Sequence, residues 1–505
     1  MSRSYVNIEQ VSNAISGLLY TGTAGTILAG ITNPELLKNP AFLGGTTILG
    51  TLTATDFYQR YIQTHHSISK NFGIFGLMRY FLESFGPEIR QYFIANDREE
   101  LPFNRNVRRG IYRRTHDDPE QSVPFGTLED RLGRETFLPS FYPKDPKNVK
   151  PYRVTFGEER GCEKTYTITH PVMISAMSFG ALGGKAIQAL GTGAKKAGIP
   201  FNTGEGGLSP YHLYGGSDIT FEMGTGKFGC RNLDSSLNEE QLRRICSNPA
   251  VKMVEIKFSQ GAKPGSGGIL PAAKLSREIA DVRGVPMGQD CVSPVRHIEC
   301  DTPEHTADFV KRVQNISGLP VGMKMALTRP EEFRTLIQTL RDRNSLPDYL
   351  VIDGAEGGTG AAPQSFLDSL GILLFPSLDI VTTILKEEHV RDKLKLVASG
   401  KLVTPELQLK AFAYGVDAIY TARGFLFALG CIQAMECNKD TCPAGITTHN
   451  PRLQRGLDIE DKGTRVANYV KHTEKELIKL LAATGHDDLR NLDKSILHID
   501  GKVLA

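Results

Sequence analysis

From about residue 165 onward, short apolar runs recur, and each is followed by a glycine-rich or polar turn and then a helical stretch. The runs are Val172–Ala176, Met253–Phe258, Val321–Ala326, Tyr349–Asp353, Leu394–Ser399 and Asp417–Ala422, with weaker candidates at Ile199–Thr203 and Val285–Val292. Near-continuous apolar strands alternating with helices are the pattern of a parallel sheet buried on both faces. About eight such units over roughly 260 residues match the length of a (β/α)8 barrel. The expected fold class is therefore α/β, a (β/α)8 TIM barrel. Counted in order, Lys257 ends the third strand and Lys324 lies on the fifth.

The rest of the chain divides around that core. Residues 1–55 are an apolar N-terminal segment, 56–160 a helical and extended region, 161–450 the barrel, and 451–505 a C-terminal helical cap containing Val466–Leu481. Residues 10–34 and 39–55 carry no charge. The first run is long enough to span a bilayer, although Gly, Thr and Ser dilute it. Arg3 on one side, with Arg60 and Lys70 on the other, would keep both ends of a membrane hairpin in the cytoplasm. The competing reading is a pair of buried or self-associating helices. The basic run Arg105, Arg108, Arg109, Arg113 and Arg114 reads first as a solvated face or a set of internal ion pairs, and second as a lipid or partner contact.

Charge narrows the function. A net charge of +3 gives no case for nucleic-acid binding, so anion selectivity must come from locally placed Lys and Arg. No secretory signal is evident, which points to a reducing, cytoplasmic setting, attached to the inner face of the membrane if the N-terminal segment inserts.

Barrel enzymes bind ligands at the C-terminal ends of their strands. Those ends are polar and glycine-rich here: Ala176-Met177-Ser178, Lys257-Phe-Ser-Gln260-Gly-Ala-Lys263, Lys324, Gly354-Ala-Glu-Gly357-Gly358-Thr359-Gly360, Ser399-Gly400 and Ala422-Arg423. The last two turns are where a barrel binds phosphate, through backbone N–H groups and a short helix N-terminus. Gly400 permits close approach and Arg423 can pair bidentately. Gly191-x-Gly193 is not a dinucleotide motif, because it lies inside a helical stretch rather than after a strand.

Cys431, Cys437 and Cys442, the last followed by Pro443, lie in one loop. Three thiolates at this spacing suit a cluster of three irons. Zinc with His449 as fourth ligand is the alternative, and three buried free thiols the plainest reading.

These stretches resemble the FMN-binding synthase domain of the glutamate synthase family, and most closely its stand-alone members. The resemblance covers roughly residues 55–490. It rests on Ser175-Ala-Met-Ser-Phe-Gly-Ala181, Thr203-Gly-Glu205-Gly-Gly207, Lys257–Gly265, Asp353–Ala361, the cysteine loop, Gly86–Tyr92 and Pro102–Arg105. It implies FMN beside a [3Fe–4S] cluster held by Cys431, Cys437 and Cys442. It implies catalytic roles for Glu205, Lys257, Gln260, Lys263 and Arg283, with Arg283 and Lys263 clamping a dianionic keto acid. A cation stabilises the reduced flavin, with Lys324 the first choice and Lys257 the second. The implied reaction reduces 2-iminoglutarate, made from 2-oxoglutarate and ammonia, to L-glutamate.

The chain departs from the family pattern at Ser266, at Ile269 and in Ser293-Pro-Val-Arg-His297, all near the expected keto-acid pocket. No Met-Cys start and no strand-linked GxGxxG is visible. Ammonia and electrons are therefore expected in trans, from an ammonia source or amidotransferase and from ferredoxin or a reductase subunit. Two other readings stay open: an FMN oxidoreductase on a different keto, imino or N-alkyl amino acid, and a membrane-attached electron-transfer subunit.

Overall fold

A computed structural model describes residues 8–116, 125–270 and 272–504. The chain separates into two compact units, Met1–Arg105 and Asn106–Ala505.

The first unit contains α1 (Ile8–Thr32), α2 (Pro40–Phe57) and α3 (Ser67–Ser84), the last broken at Gly73. Asn39 caps α2 by accepting from the Ala41 and Phe42 amides, and Pro40 takes the first helical position, where no N–H is needed. α1 and α2 run antiparallel, since Tyr20 meets Asp56 while Gly30 meets Leu37 and Phe42 beside the connecting turn.

In the second unit, eight parallel strands close into a barrel. They are β1 (Val172–Ile174), β2 (Phe201–Asn202), β3 (Ile219–Met223), β4 (Val251–Lys257), β5 (Val321–Met325), β6 (Tyr349–Asp353), β7 (Lys395–Ser399) and β8 (Ala418–Thr421). A hairpin of Val154–Phe156 and Tyr166–Ile168 plugs the N-terminal end of the barrel. Phe156, Val154 and Ile168 pack there against Met173, Met253, Tyr349, Val351 and Tyr420. Gly322 is required at that level, because a Cβ would lie 2.2 Å from the Tyr349 ring.

Two strand assignments change. β3 has the sequence Ile-Thr-Phe-Glu-Met, whose two polar residues hide it from a search for apolar runs, so β4 rather than the third strand ends in Lys257. Val285–Val292 is not a barrel strand. Its last two residues pair antiparallel with Ile269–Leu270, inside the long β4–β5 connection.

Outside the barrel, α4 (Gly184–Ala197) packs on α7 (Ile459–Ala483). A Cβ on Gly193 would sit 2.4 Å from Val466, so this glycine serves a close helix crossing rather than a nucleotide. The C-terminal region is not wholly helical: Leu497–Ile499 pairs with both Glu135–Phe137 and Lys502–Val503. Of the basic run, Arg108 and Arg114 are buried, and Arg114 pairs with Glu476 at 2.6 Å, which fits the internal ion-pair reading.

Candidate active site

The interior of the barrel turns from apolar to charged along its axis. The strand register sets Glu222 beside Glu255 and Lys324 beside Lys257. Lys324 Nζ lies 2.9 Å from Glu222 Oε2 and 3.9 Å from Glu255 Oε1, and Asn202 donates to Glu255 Oε1 at 2.9 Å. Glu222 and Glu255 are fully enclosed.

Burial pushes Glu255 up to about 8; Lys324 opposes that rise and Glu222 adds to it. Glu222 moves the other way, because Lys324 and Lys257 outweigh its own desolvation. Lys324 is held above its ordinary range, since the carboxylates of Glu222, Glu255 and Asp353 outweigh the cost of burying it. Buried ions persist only when paired and hydrogen-bonded, and this network meets that condition.

Above this layer lies a narrow cleft lined by Glu205, Thr225, Lys257, Gln260, Lys263 and Val295, among others. Lys257 Nζ donates to Gln260 Oε1 at 2.7 Å and lies 3.4 Å from Glu205 Oε2 and 3.7 Å from Glu222 Oε1, so it joins cleft to core. Desolvation lowers Lys263. Gly224 and Gly268 make room for the Glu205 carboxylate, which would lie 2.9 and 2.7 Å from their added Cβ atoms.

Four of the five expected catalytic residues thus share one cleft. Arg283, at the end of α5 (Arg277–Arg283), lies behind it. Its guanidinium sits over Phe228 at 5.1 Å and donates to the Phe179 carbonyl at 3.4 Å. Its buried Nε has no hydrogen-bond partner among the described residues. Lys324 is committed to carboxylates below the cleft, which leaves Lys257 as the cation at its floor. Of the departures from the family pattern, Ser266 and Val295 line the cleft. Buried His297 instead holds the Lys257 carbonyl at 2.9 Å, and burial lowers it to about 3, so it stays neutral there.

The expected flavin residues fall on neighbouring strand ends. Gly204 has a positive φ of 65° and packs against the Ser178 amide, at 2.8 Å from an added Cβ, so the turn after β2 presses on Met177 and Ser178. Gly261 presses as closely on Gly354, and its amide donates to Asp353 at 2.7 Å. Ser399 accepts from the Gly354 amide, and Gly400 follows with φ +146°. Arg423 opens α6 (Arg423–Leu429), with Ala422 as its cap. Arg423 donates to the Thr359 carbonyl at 3.3 Å, and its guanidinium lies where a Cβ on Gly358 would stand, 2.3 Å away. No Cβ on Gly360 would meet anything within 4 Å. Gly357 donates back to Gly354, closing the turn. Gly204, Gly261 and Gly358 thus allow close packing of the strand-end turns on one another and on Arg423.

Cys431, Cys437 and Cys442 are free thiols. Among the described residues no three His, Cys, Asp or Glu side chains converge tightly enough for one metal ion. His449 turns its Nε2 to the Gly180 carbonyl at 3.0 Å, which counts against the zinc reading. Burial would raise the Cys442 thiol, but donors from Thr447, Ile446 and Ala444 outweigh it and hold it below its ordinary range, whereas burial pushes Cys431 up to about 11. Amide donors to sulfur are what a cluster thiolate needs. Buried Lys274 ties this loop to the β4–β5 connection by donating to the Cys437 and Thr447 carbonyls. Glu222, Glu255, Asn202 and Lys274 escaped the sequence reading. The one available signal was the alternation Glu255-Ile-Lys257 inside an apolar strand, since charge at inward positions marks the working end of a barrel.

A closed parallel barrel with a polar, charged cleft at its C-terminal mouth is the architecture of a barrel enzyme. Comparison gives the family: residues 138–487 match the conserved region in glutamate synthase, and the chain belongs to the glutamate synthase family of oxidoreductases. The glutamate synthase large subunit-like protein YerD of Bacillus subtilis is 36% identical over 489 residues, covering 87% of this chain and 93% of that one. An archaeal glutamate synthase [NADPH] of Methanocaldococcus jannaschii is 36% identical over 325 residues, and the match spans 60% of its length. Among solved structures, a flavocytochrome b2 variant with sulfite bound shares 14% identity at a TM-score of 0.45, over 83% of this chain and 86% of that one. That likeness is distant.

Proposed function

We propose that this chain is an FMN- and iron–sulfur-dependent oxidoreductase of glutamate-synthase type, reducing 2-iminoglutarate, formed from 2-oxoglutarate and ammonia, to L-glutamate. The observation that carries the reading is the cleft where Glu205, Lys257, Gln260 and Lys263 meet. When bound, FMN supplies the hydride and the cluster passes single electrons to it.

The residues would divide the remaining work. Lys263, destabilised as a cation by its own burial, is poised to take a carboxylate. Arg283, enclosed behind the cleft over Phe228, would have to turn toward it to take the second carboxylate. Gln260, oriented by Lys257, would hydrogen-bond the reacting imine through its amide N–H. Lys257 and Glu205 would hold and return a proton at that nitrogen. The cradle of Gly354, Gly357, Gly358, Thr359, Gly360, Ser399, Gly400, Ala422 and Arg423 would hold the flavin and its phosphate. Ala176, Met177 and Ser178 would face the ring, and the cysteine loop would hold the cluster. Ammonia and electrons would come in trans.

The test is anaerobic. Chemically reduced protein mixed with 2-oxoglutarate and ammonia should reoxidise its flavin and yield glutamate. Oxidised protein should give a three-iron paramagnetic resonance signal that Cys437→Ser abolishes. No reoxidation at any concentration rules out glutamate formation. A second reading is favoured by Val295, which gives the cleft an apolar wall: a different keto or imino acid with an apolar side chain. A substrate panel in the same assay separates the two.

A further inference from the structure

The N-terminal unit is built inside out. Asp56 is fully buried, and its carboxylate accepts from Tyr20 Oη at 2.8 Å, from the Ile74 amide at 2.7 Å and from Arg60 Nε at 3.2 Å. The Arg60 guanidinium also reaches Ser16 Oγ, Ser12 Oγ, Asn13 Oδ1 and the Asn71 carbonyl. Gly73 permits this packing, since a Cβ there would fall 1.9 Å from the Asp56 carboxylate. Further along, Thr23 pairs with Thr53 at 2.7 Å between the two helices.

The outside has the opposite character. On α1 the buried positions are Ser12, Ser16 and Gly30, while Leu18, Ile27, Leu28 and Ile31 are more than half exposed. On α2 Asp56 is the buried position, and Ile48 is 64% exposed. A soluble helix hides its apolar stripe and shows its polar one. Here that rule is reversed on two adjacent helices, over residues 10–34 and 39–55 without a charge.

We propose that α1 and α2 insert as a hairpin into a lipid bilayer. Four observations select lipid over a second copy of the chain. Of the two helices, α1 over Glu9–Thr32 alone has both the length and the hydropathy of a membrane span, and only 11% of its apolar window is buried. At 25 and 18 residues the helices are about 37 and 27 Å long, close to the roughly 30 Å hydrocarbon layer. Exposed Thr21, Thr47 and Thr51, with half-buried Thr55, each return their hydroxyl to the carbonyl four residues back, so these hydroxyls present no free donor to lipid. Exposed Phe57, Tyr58 and Tyr61 gather where α2 ends, as aromatic side chains do at the headgroup level. The Asp56–Arg60 network lies at this same end, and Lys70 and Arg79 follow it. The connecting turn at the far end carries only the Glu35–Lys38 pair. That asymmetry leaves both ends of the hairpin on the side of the cationic segments, the inner face of the membrane.

The experiment uses the full chain and mixed phosphatidylcholine and phosphatidylglycerol vesicles, followed by flotation and an alkaline carbonate wash. The protein should float with the vesicles and resist the wash. Leu28→Asp with Ile48→Asp changes only outward positions, and each substitution should lower partitioning by about 100-fold. The circular dichroism of the variant should stay that of the parent, which separates lost insertion from lost fold. Two results would overturn the proposal: parent protein that remains detergent-free and soluble without floating, or a soluble oligomer that the double substitution dissociates. Neither readout depends on the substrate or the cofactors.

Discussion

The two ends of the barrel are made from the same eight strands and solve opposite problems. At the N-terminal end the interior is filled by Phe156, Met173, Met253, Tyr349 and Tyr420, with a hairpin as stopper. Two residues further along β4 and its neighbours, the interior holds Glu222, Glu255, Lys257 and Lys324. Burial of apolar surface stabilises the first end by roughly 25 cal/mol per Å². The second end forgoes that gain and holds charge that costs desolvation, kept in place by pairing. Stability and chemistry are thus separated along the strand axis, and substitutions at the two ends should affect different measurements.

The largest expected effect is at the stopper. Phe156→Ala should cost about 3–5 kcal/mol of folding stability, read as a lowered Tm, and leave kcat/KM of the folded protein within about twofold. A loss of turnover comparable to that of a cleft variant would break the comparison. At the other end, Lys263→Ala should raise the half-saturating concentration of 2-oxoglutarate by roughly 30- to 150-fold, equivalent to about 2–3 kcal/mol. Its Tm should stay near that of the parent, and a large drop would mean that Lys263 is structural.

Gly322→Ala should cost about 1–3 kcal/mol, because the added methyl group meets the Tyr349 ring. The flavin spectrum should not change. If it does, the two ends are coupled through β5.

The smallest effect is a slope with pH. Glu255 has a folded pKa raised to about 8 from an unfolded value near 4.5, so the folded state binds the extra proton between those values. Its contribution is fully present below the unfolded pKa and is lost as pH rises through about 8. The parent should therefore lose stability across that window and Glu255→Gln should be flatter, as measured by denaturant midpoints. Glu222, shifted downward, loses its contribution only as pH falls below the carboxylate range, outside this window. An unchanged slope in Glu255→Gln would mean that Glu255 is ionised in the folded protein across this window.

Legibility in the sequence followed the same axis. β1 and β4 to β8 could be read because each keeps a run of apolar residues on both buried faces, with charges only at single positions. β3 could not, because its inward residues are Thr220 and Glu222. Val285–Val292 misled because its end valines, Met287 and Cys291 imitate a strand that the long β4–β5 connection does not make. Lys257, Gln260 and Lys263 could be placed at one strand end because they are local to one loop, and the family resemblance supplied their roles. The place of Lys324 could not, since its partners Glu222 and Glu255 come from other strands.

By itself, the sequence determined the alternation of strand and helix, the glycines at strand ends, the cysteine loop and two charge-free helical runs. All of these are local: backbone freedom, periodicity and spacing act over a few residues. Barrel closure decided which charges meet, because the register between β3, β4 and β5 sets ion pairs between residues as far apart as Glu222 and Lys324. Packing between α1 and α2 likewise decided that Ser12, Ser16 and Asp56 face inward and leucine and isoleucine outward. That choice is not written in composition, because a charge-free run can turn either face to its neighbour until a buried carboxylate and its donors hold it in one orientation.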